Sequence, residues 1–161
     1  MTPQQSEEIR ELYLEMHEKL FDYALSLLKN ESLAQEAVQE TFRIACQKPE
    51  AVCTSPNPQG WLMITLKNVI SNTIKSLETS NRILTEYYKQ RMRDIQESTD
   101  PEDLQLLYRD LTNLEEYRLV KEMAVDGKSY LELAKERHIS VEACRKRMQR
   151  AREFLQRKIK K

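Results

Sequence analysis

Apolar residues recur every three to four positions along almost the whole chain, with polar residues between them, and no stretch alternates as a half-buried strand would. The pattern predicts a first helix over 4–29, with a stripe of Ile9, Leu12, Tyr13, Met16, Leu20, Tyr23, Ala24, Leu27 and Leu28. Residues 30–32 break it, and Ser32 with Gln35 makes a capping box for a second helix over 33–47. That helix is expected to bury Ala37, Val38, Thr41, Ile44 and Ala45, with Phe42 at the edge. The stretch 49–60, with three prolines, reads as a loop, and Asn57-Pro58 as a cap with proline at the first helical position. The third helix, 58–77, carries Trp61, Leu62, Ile64, Thr65, Val69 and Ile74; Trp61 reads as core before stacking platform. Residues 78–99 lack strong punctuation and fit either an extension of that helix or a loose linker. Asp100-Pro101 is a helix start. Leu104, Leu107, Leu111 and Leu114 lead from it into Leu119, Val120, Met123 and Val125, ending at Asp126-Gly127.

The strongest pattern lies at 127–161. Ser129, three residues before Glu132, caps a short helix containing Leu131, Leu133 and Ala134. Ser140 caps a longer one, in which Cys144, Met148, Ala151 and Leu155 share a face. Glu142, Arg145, Lys146, Gln149 and Arg152 fall on the other side, with Arg147 and Arg150 on the flanks. Ala134 lets the two helices cross closely and Ile139 fills the corner. His138 occupies the turn, where φ is expected to be positive. The pair reads as a helix-turn-helix with a basic, hydrogen-bonding second helix. The expected fold is therefore all-α: two small helical domains, 1–79 and 100–161, joined by a linker over 80–99, the second built around that motif.

Charge sharpens this picture. The chain holds 26 basic and 26 acidic residues, but 127–161 has twelve Lys/Arg against four Asp/Glu, a net of +8. The acidic remainder, at −8, offsets it. A cationic helical face displaces counterions from phosphate, and Arg and Gln read base edges in the major groove; a merely solvated charged helix is the bland alternative. Cys46, Cys53 and Cys144 have no metal-ligand spacing and read as reduced thiols, and His17 and His138 join no catalytic arrangement. There is no glycine-rich phosphate loop and no nucleophile motif, so neither enzyme chemistry nor a cofactor is expected. No apolar run has the length of a membrane span and no signal peptide is recognisable, which predicts a cytoplasmic protein.

Four motifs resemble those of the extracytoplasmic-function (ECF) sigma factors. Ala34-Gln35-Glu36-Ala37-Val38-Gln39-Glu40-Thr41-Phe42 is similar to the family's A-E-D-L-V-Q-E-T-F. Asn57-Pro58-Gln59-Gly60-Trp61-Leu62 resembles N-P-x-x-W-L, and Lys67-Asn68 the R-N pair after it. Gly127-Lys128-Ser129-Tyr130-Leu131-Glu132-Leu133-Ala134 is similar to G-L-S-Y-E-E-I-A. Ile139-Ser140 with Arg147-Met148-Gln149-Arg150-Ala151-Arg152 resembles the final helix, I-S…S-R-L-x-R-A-R. Some positions depart: Thr65-Leu66 replaces Ile-Ala, Asn72 replaces Asp, and Arg137-His138 replaces Leu-Gly in the turn.

The resemblance implies a transcription initiation factor rather than an enzyme. Gln35, Glu36, Gln39 and Glu40 would grip the clamp helices of the RNA polymerase β′ subunit. Lys67, Asn68, Asn72 and Lys75 would contact the minus-ten element of promoter DNA, with the 49–60 loop holding a flipped base. Ser140, Glu142, Arg145, Lys146, Gln149 and Arg152 would read the minus-thirty-five element. The C-terminal module would also sit on the β flap, and an anti-sigma factor is an expected partner. The residues alone also fit a stand-alone helix-turn-helix regulator, which would need a dimer or a second DNA contact for useful affinity, or a helical adaptor with a basic tail.

Overall fold

The computed structural model describes residues 1–97, 100–102, 105, 106, 109 and 114–159, apart from the side chain of Ile95. Every regular element among them is helical, so the fold is all-α. The leucines expected to open the C-terminal module, Leu104, Leu107 and Leu111, lie outside the described residues. The chain forms two compact units, Met1–Lys75 and Ser76–Lys161.

The first unit is built from α1 (Pro3–Leu28), α2 (Glu31–Gln47), α3 (Pro49–Cys53) and the opening half of α4 (Pro58–Glu97). Thr2 and Gln5 make a reciprocal capping box at the start of α1, with Pro3 at the first helical position. Lys29 ends that helix in the left-handed region, at φ 54°. Helix α2 begins earlier than the Ser32–Gln35 box would set it. The Asn30 side chain accepts from the Leu33 N–H at 3.0 Å, and its carbonyl accepts from Ala34. Asn30 is thus the cap and Ser32 lies inside the first turn.

The core of this unit joins Ile9, Met16, Leu20 and Ala24 of α1 to Ala34, Ala37, Val38, Phe42 and Ala45 of α2 and Leu62, Leu66 and Ile70 of α4. Trp61 packs half-buried against it, as its core reading required. Several expected positions differ. Tyr13, Leu27, Ile64 and Ile74 are exposed, Ile44 is only partly buried, and Phe42 is inside. On α4 the buried line runs through 62, 66 and 70, an i, i+4 series that turns Ile64 and Ile74 outward. Residues 49–60 are not all loop. Pro49 starts a short helix there, and Val52, fully buried, holds it to the core. Asn57 starts α4 by accepting from the Gly60 N–H at 3.1 Å. A Cβ at Gly60 would meet the Asn57 carboxamide, so a larger residue there would make the capping side chain shift.

The second unit contains the rest of α4, then α5 (Glu115–Ala124), α6 (Tyr130–Glu136) and α7 (Val141–Ile159). Its core joins Ile83, Leu84 and Tyr87 of α4 to Leu119, Val120 and Met123 of α5, Leu133 and Ala134 of α6, and Cys144, Met148, Ala151 and Leu155 of α7. Residues 80–97 are therefore helical and carry core side chains. The division between units falls after Lys75, ahead of the expected 80–99 linker. Val125, expected in the apolar series, is exposed. Gly127, at φ 73°, turns the chain after α5.

Candidate nucleic-acid interface

Two surfaces carry the basic and amide side chains singled out in the sequence. The first is on the opening half of α4, where Lys67, Asn68, Asn72 and Lys75 are all exposed. Spacings of one, four and three residues place them along one side of the helix, with exposed Ile64 one turn before Asn68. Lys67 Nζ lies 5.8 Å from the centre of the Tyr23 ring, at the limit of a cation–π contact. Cationic tips on a rigid rod can follow a phosphate backbone, and the amides can donate to base or phosphate oxygens.

The second surface is made by α6 and α7. Ser129 Oγ accepts from the Glu132 N–H at 3.2 Å and starts α6. Ser140 Oγ accepts from the Ala143 N–H at 3.0 Å at the head of α7, so Ser140 is a cap. Between them His138 is left-handed at φ 55°, as its place in the turn required, and Ile139 packs half-buried against the core. Cys144, Met148, Ala151 and Leu155 are buried, so the opposite side of α7 faces outward. Glu142, Lys146 and Gln149 are exposed, and Gln149 lies 3.4 Å from Glu153. The Arg145 guanidinium lies over the Tyr130 ring at 5.1 Å.

Arg152 is engaged differently. It is half-buried, and its guanidinium donates to Ser76 Oγ at 2.7 Å and Ser80 Oγ at 3.3 Å, both on α4. The helical wheel placed Arg152 beside Arg145. A wheel of α7 alone could not show that α4 passes there.

An ionic cluster ties the α6–α7 connection to α5. Arg137 reaches Glu122 at 2.6 Å and Glu115 at 3.5 Å, and Lys128 bridges Glu122 at 3.4 Å and Glu136 at 3.0 Å. Partial burial pushes the Glu122 carboxyl up, but the hydrogen bonds and charges of Arg137 and Lys128 outweigh it and hold the group below the usual range. The hydrogen bond to Glu136 raises the Lys128 ammonium, with Glu122 adding to the effect. Leu119, Phe154, Arg147, Arg150 and Arg157 line a groove of about 450 Å3 between α5 and α7.

Gln35 and Gln39 of α2 are exposed, while Glu36 and Glu40 are partly buried. Glu40 pairs with Arg43 on the same helix. This face is thus acidic and amide-rich, but part of its charge is already neutralised.

Residues 12–79 match the model of sigma-70 region 2. The matched stretch is less than half of the 161-residue chain. The match takes in most of α1, all of α2 and α3, and the exposed α4 face, and ends ahead of α5, α6 and α7. No curated protein and no solved structure matches the chain. Among the described residues no helix is long and apolar enough to cross a membrane.

Sequence reasoning missed Tyr130, Ser76 and Ser80. Tyr130 was visible only as a letter of the G-K-S-Y run. Ser76 and Ser80 stand four apart on α4, a spacing that puts two hydroxyls on one side of the helix.

Proposed function

We propose that the protein is an ECF-type sigma factor. It acts without catalysis of its own, giving core RNA polymerase its choice of promoter in the cytoplasm. The region 2 match over residues 12–79 is the observation that carries this reading. The α2 face of Gln35, Glu36, Gln39 and Glu40 docks on the β′ clamp helices. Its negative charge suits a protein partner better than DNA. Lys67, Asn68, Asn72 and Lys75 contact the minus-ten element while it opens, and the segment from α3 to Gly60 receives an unstacked base.

In the second unit, α6 and α7 act as a helix-turn-helix. Ser140, Glu142, Arg145, Lys146 and Gln149 are presented to the major groove of the minus-thirty-five element. Arg152 is left out of that reading set because Ser76 and Ser80 hold its guanidinium. The groove between α5 and α7 is the surface we assign to the β flap. An anti-sigma factor would regulate the protein by covering the α2 or α7 surface.

Transcription with purified core polymerase and a random promoter library tests the proposal. Addition of the protein is expected to start RNA chains from a defined pair of elements. Glu36→Lys with Glu40→Lys is expected to weaken core binding about tenfold or more while the helical content stays unchanged. A protein that bound duplex DNA but left the core enzyme silent would be a stand-alone regulator, and the proposal would fall.

A further inference from the structure

Arg145 lies in the second turn of α7, the part of a recognition helix that approaches base edges. Arginine reads guanine through two parallel N–H donors, which requires a fixed guanidinium plane. A long side chain on an exposed helix face has many rotamers, and ordering one on binding opposes affinity. In this structure the guanidinium has a support. The Arg145 guanidinium lies 5.1 Å from the centre of the Tyr130 ring. Tyr130 is the first residue of α6, directly after the Ser129 cap, and is itself half-buried against the core of the second unit. The ring is therefore anchored from below while its face meets the arginine.

We infer that Tyr130 is a positioning residue for base recognition: its ring holds Arg145 in a reading orientation before DNA arrives. The inference rests on the proposed promoter-reading role of α7. A guanidinium that lies parallel to an aromatic face keeps its N–H donors in its own plane and off the ring. The α6–α7 crossing thus gives the guanidinium one resting place relative to the helix axis. Its ligand is a single base pair of the upstream element with paired major-groove acceptors, as guanine offers through O6 and N7.

The test measures holoenzyme binding to promoters that carry each base pair at every position of the upstream element, for wild type, Tyr130→Phe, Tyr130→Leu, Arg145→Ala and the Tyr130→Leu/Arg145→Ala pair. Tyr130→Phe keeps the aromatic face and is expected to keep the wild-type preference. Tyr130→Leu keeps apolar bulk but removes the face. It is expected to lower discrimination at one position about 2- to 5-fold, the range of a part-exposed cation–π contact. Discrimination at the other positions should hold. Arg145→Ala should abolish the preference at that same position, and adding Tyr130→Leu should remove nothing more. Additive losses, or an equal loss of affinity on every sequence, would overturn the inference and leave Tyr130 a packing residue only. If Tyr130→Leu alters thermal unfolding, the Arg145→Ala background still decides, because there the leucine has no arginine to misplace and any further loss of discrimination is structural. A wild-type holoenzyme that initiates but shows no base preference anywhere upstream would refute the reading role of α7, and the inference with it. A protein that fails to direct polymerase at all would instead bring down the proposed function.

Discussion

The two candidate DNA surfaces differ in how far each is committed before a ligand arrives. Along the opening half of α4, Lys67, Asn68, Asn72 and Lys75 are exposed, and Lys67 comes near the Tyr23 ring. Along α7 the side chains already engage the protein: Arg145 lies over Tyr130, Gln149 is near Glu153, and Arg152 is bound by two serine hydroxyls. The contrast follows from the tasks proposed for them. Following a charged backbone through a melting step asks for mobile cations and little geometry. Reading base edges in intact duplex asks for donors fixed in direction, which only tertiary contacts supply. The α7 surface should therefore be the more sensitive to changes beneath it, and the α4 surface to salt.

The largest effect should come from removing the α4 support. A fragment beginning at residue 100 lacks Ile83, Leu84 and Tyr87, which are buried in the second unit's core. At about 1.5–3 kcal/mol for each large apolar side chain, their loss rivals the whole stability of a small domain. Circular dichroism should show that fragment unfolded, whereas one beginning at Ser76 should melt cooperatively. Next in size is Arg152→Leu. Losing charged hydrogen bonds to Ser76 and to buried Ser80 should destabilise the second unit by about 1–3 kcal/mol in urea unfolding, with promoter preference retained. If the variant instead loses discrimination at one base pair while its stability is unchanged, Arg152 belongs with Arg145 after all.

A smaller effect is expected at Glu122. Its carboxyl titrates below the ordinary 4.5, so the ion cluster's contribution is complete above that pH and is lost as pH falls through the lower folded value. At the alkaline end the raised Lys128 ammonium contributes below its ordinary 10.5, and that part disappears as pH rises through its folded value. Glu122→Gln should lower stability at neutral pH by roughly 1 kcal/mol, because the cluster is partly open to solvent, and should flatten the acid limb of the curve. The mildest change should come from Lys67→Ala and Lys75→Ala. Each should reduce the slope of log affinity against log salt by about 1, with nearly the same loss on every sequence.

Much of this architecture was legible from residue spacing. The buried line of α7 through Cys144, Met148, Ala151 and Leu155 follows from an i, i+4, i+7, i+11 pattern that one helix determines alone. The left-handed His138 followed from its place in a short turn. What could not be read were effects in which a second element decides. Val52 converts part of a proline-rich stretch into helix because the core receives it. Residues 80–97 look weakly patterned because few of them face inward, yet Ile83, Leu84 and Tyr87 place them in the second unit. Ser32 lost the cap of α2 to Asn30, whose side chain reaches Leu33 just as well. Among the candidate site residues, the serine contacts of Arg152 were hidden for the same reason: they lie more than seventy positions away in the sequence.

Lys29 and His138 both adopt the mirror-handed backbone without being glycine. An L-residue there carries a penalty of about 1 kcal/mol or more, and this chain holds only two glycines in all. Stabilisation therefore lies within reach of ordinary mutagenesis at the end of α1. A glycine or asparagine in place of Lys29 would relax that corner while leaving every side chain assigned to polymerase or promoter as it is, giving a hardier specimen for the measurements above.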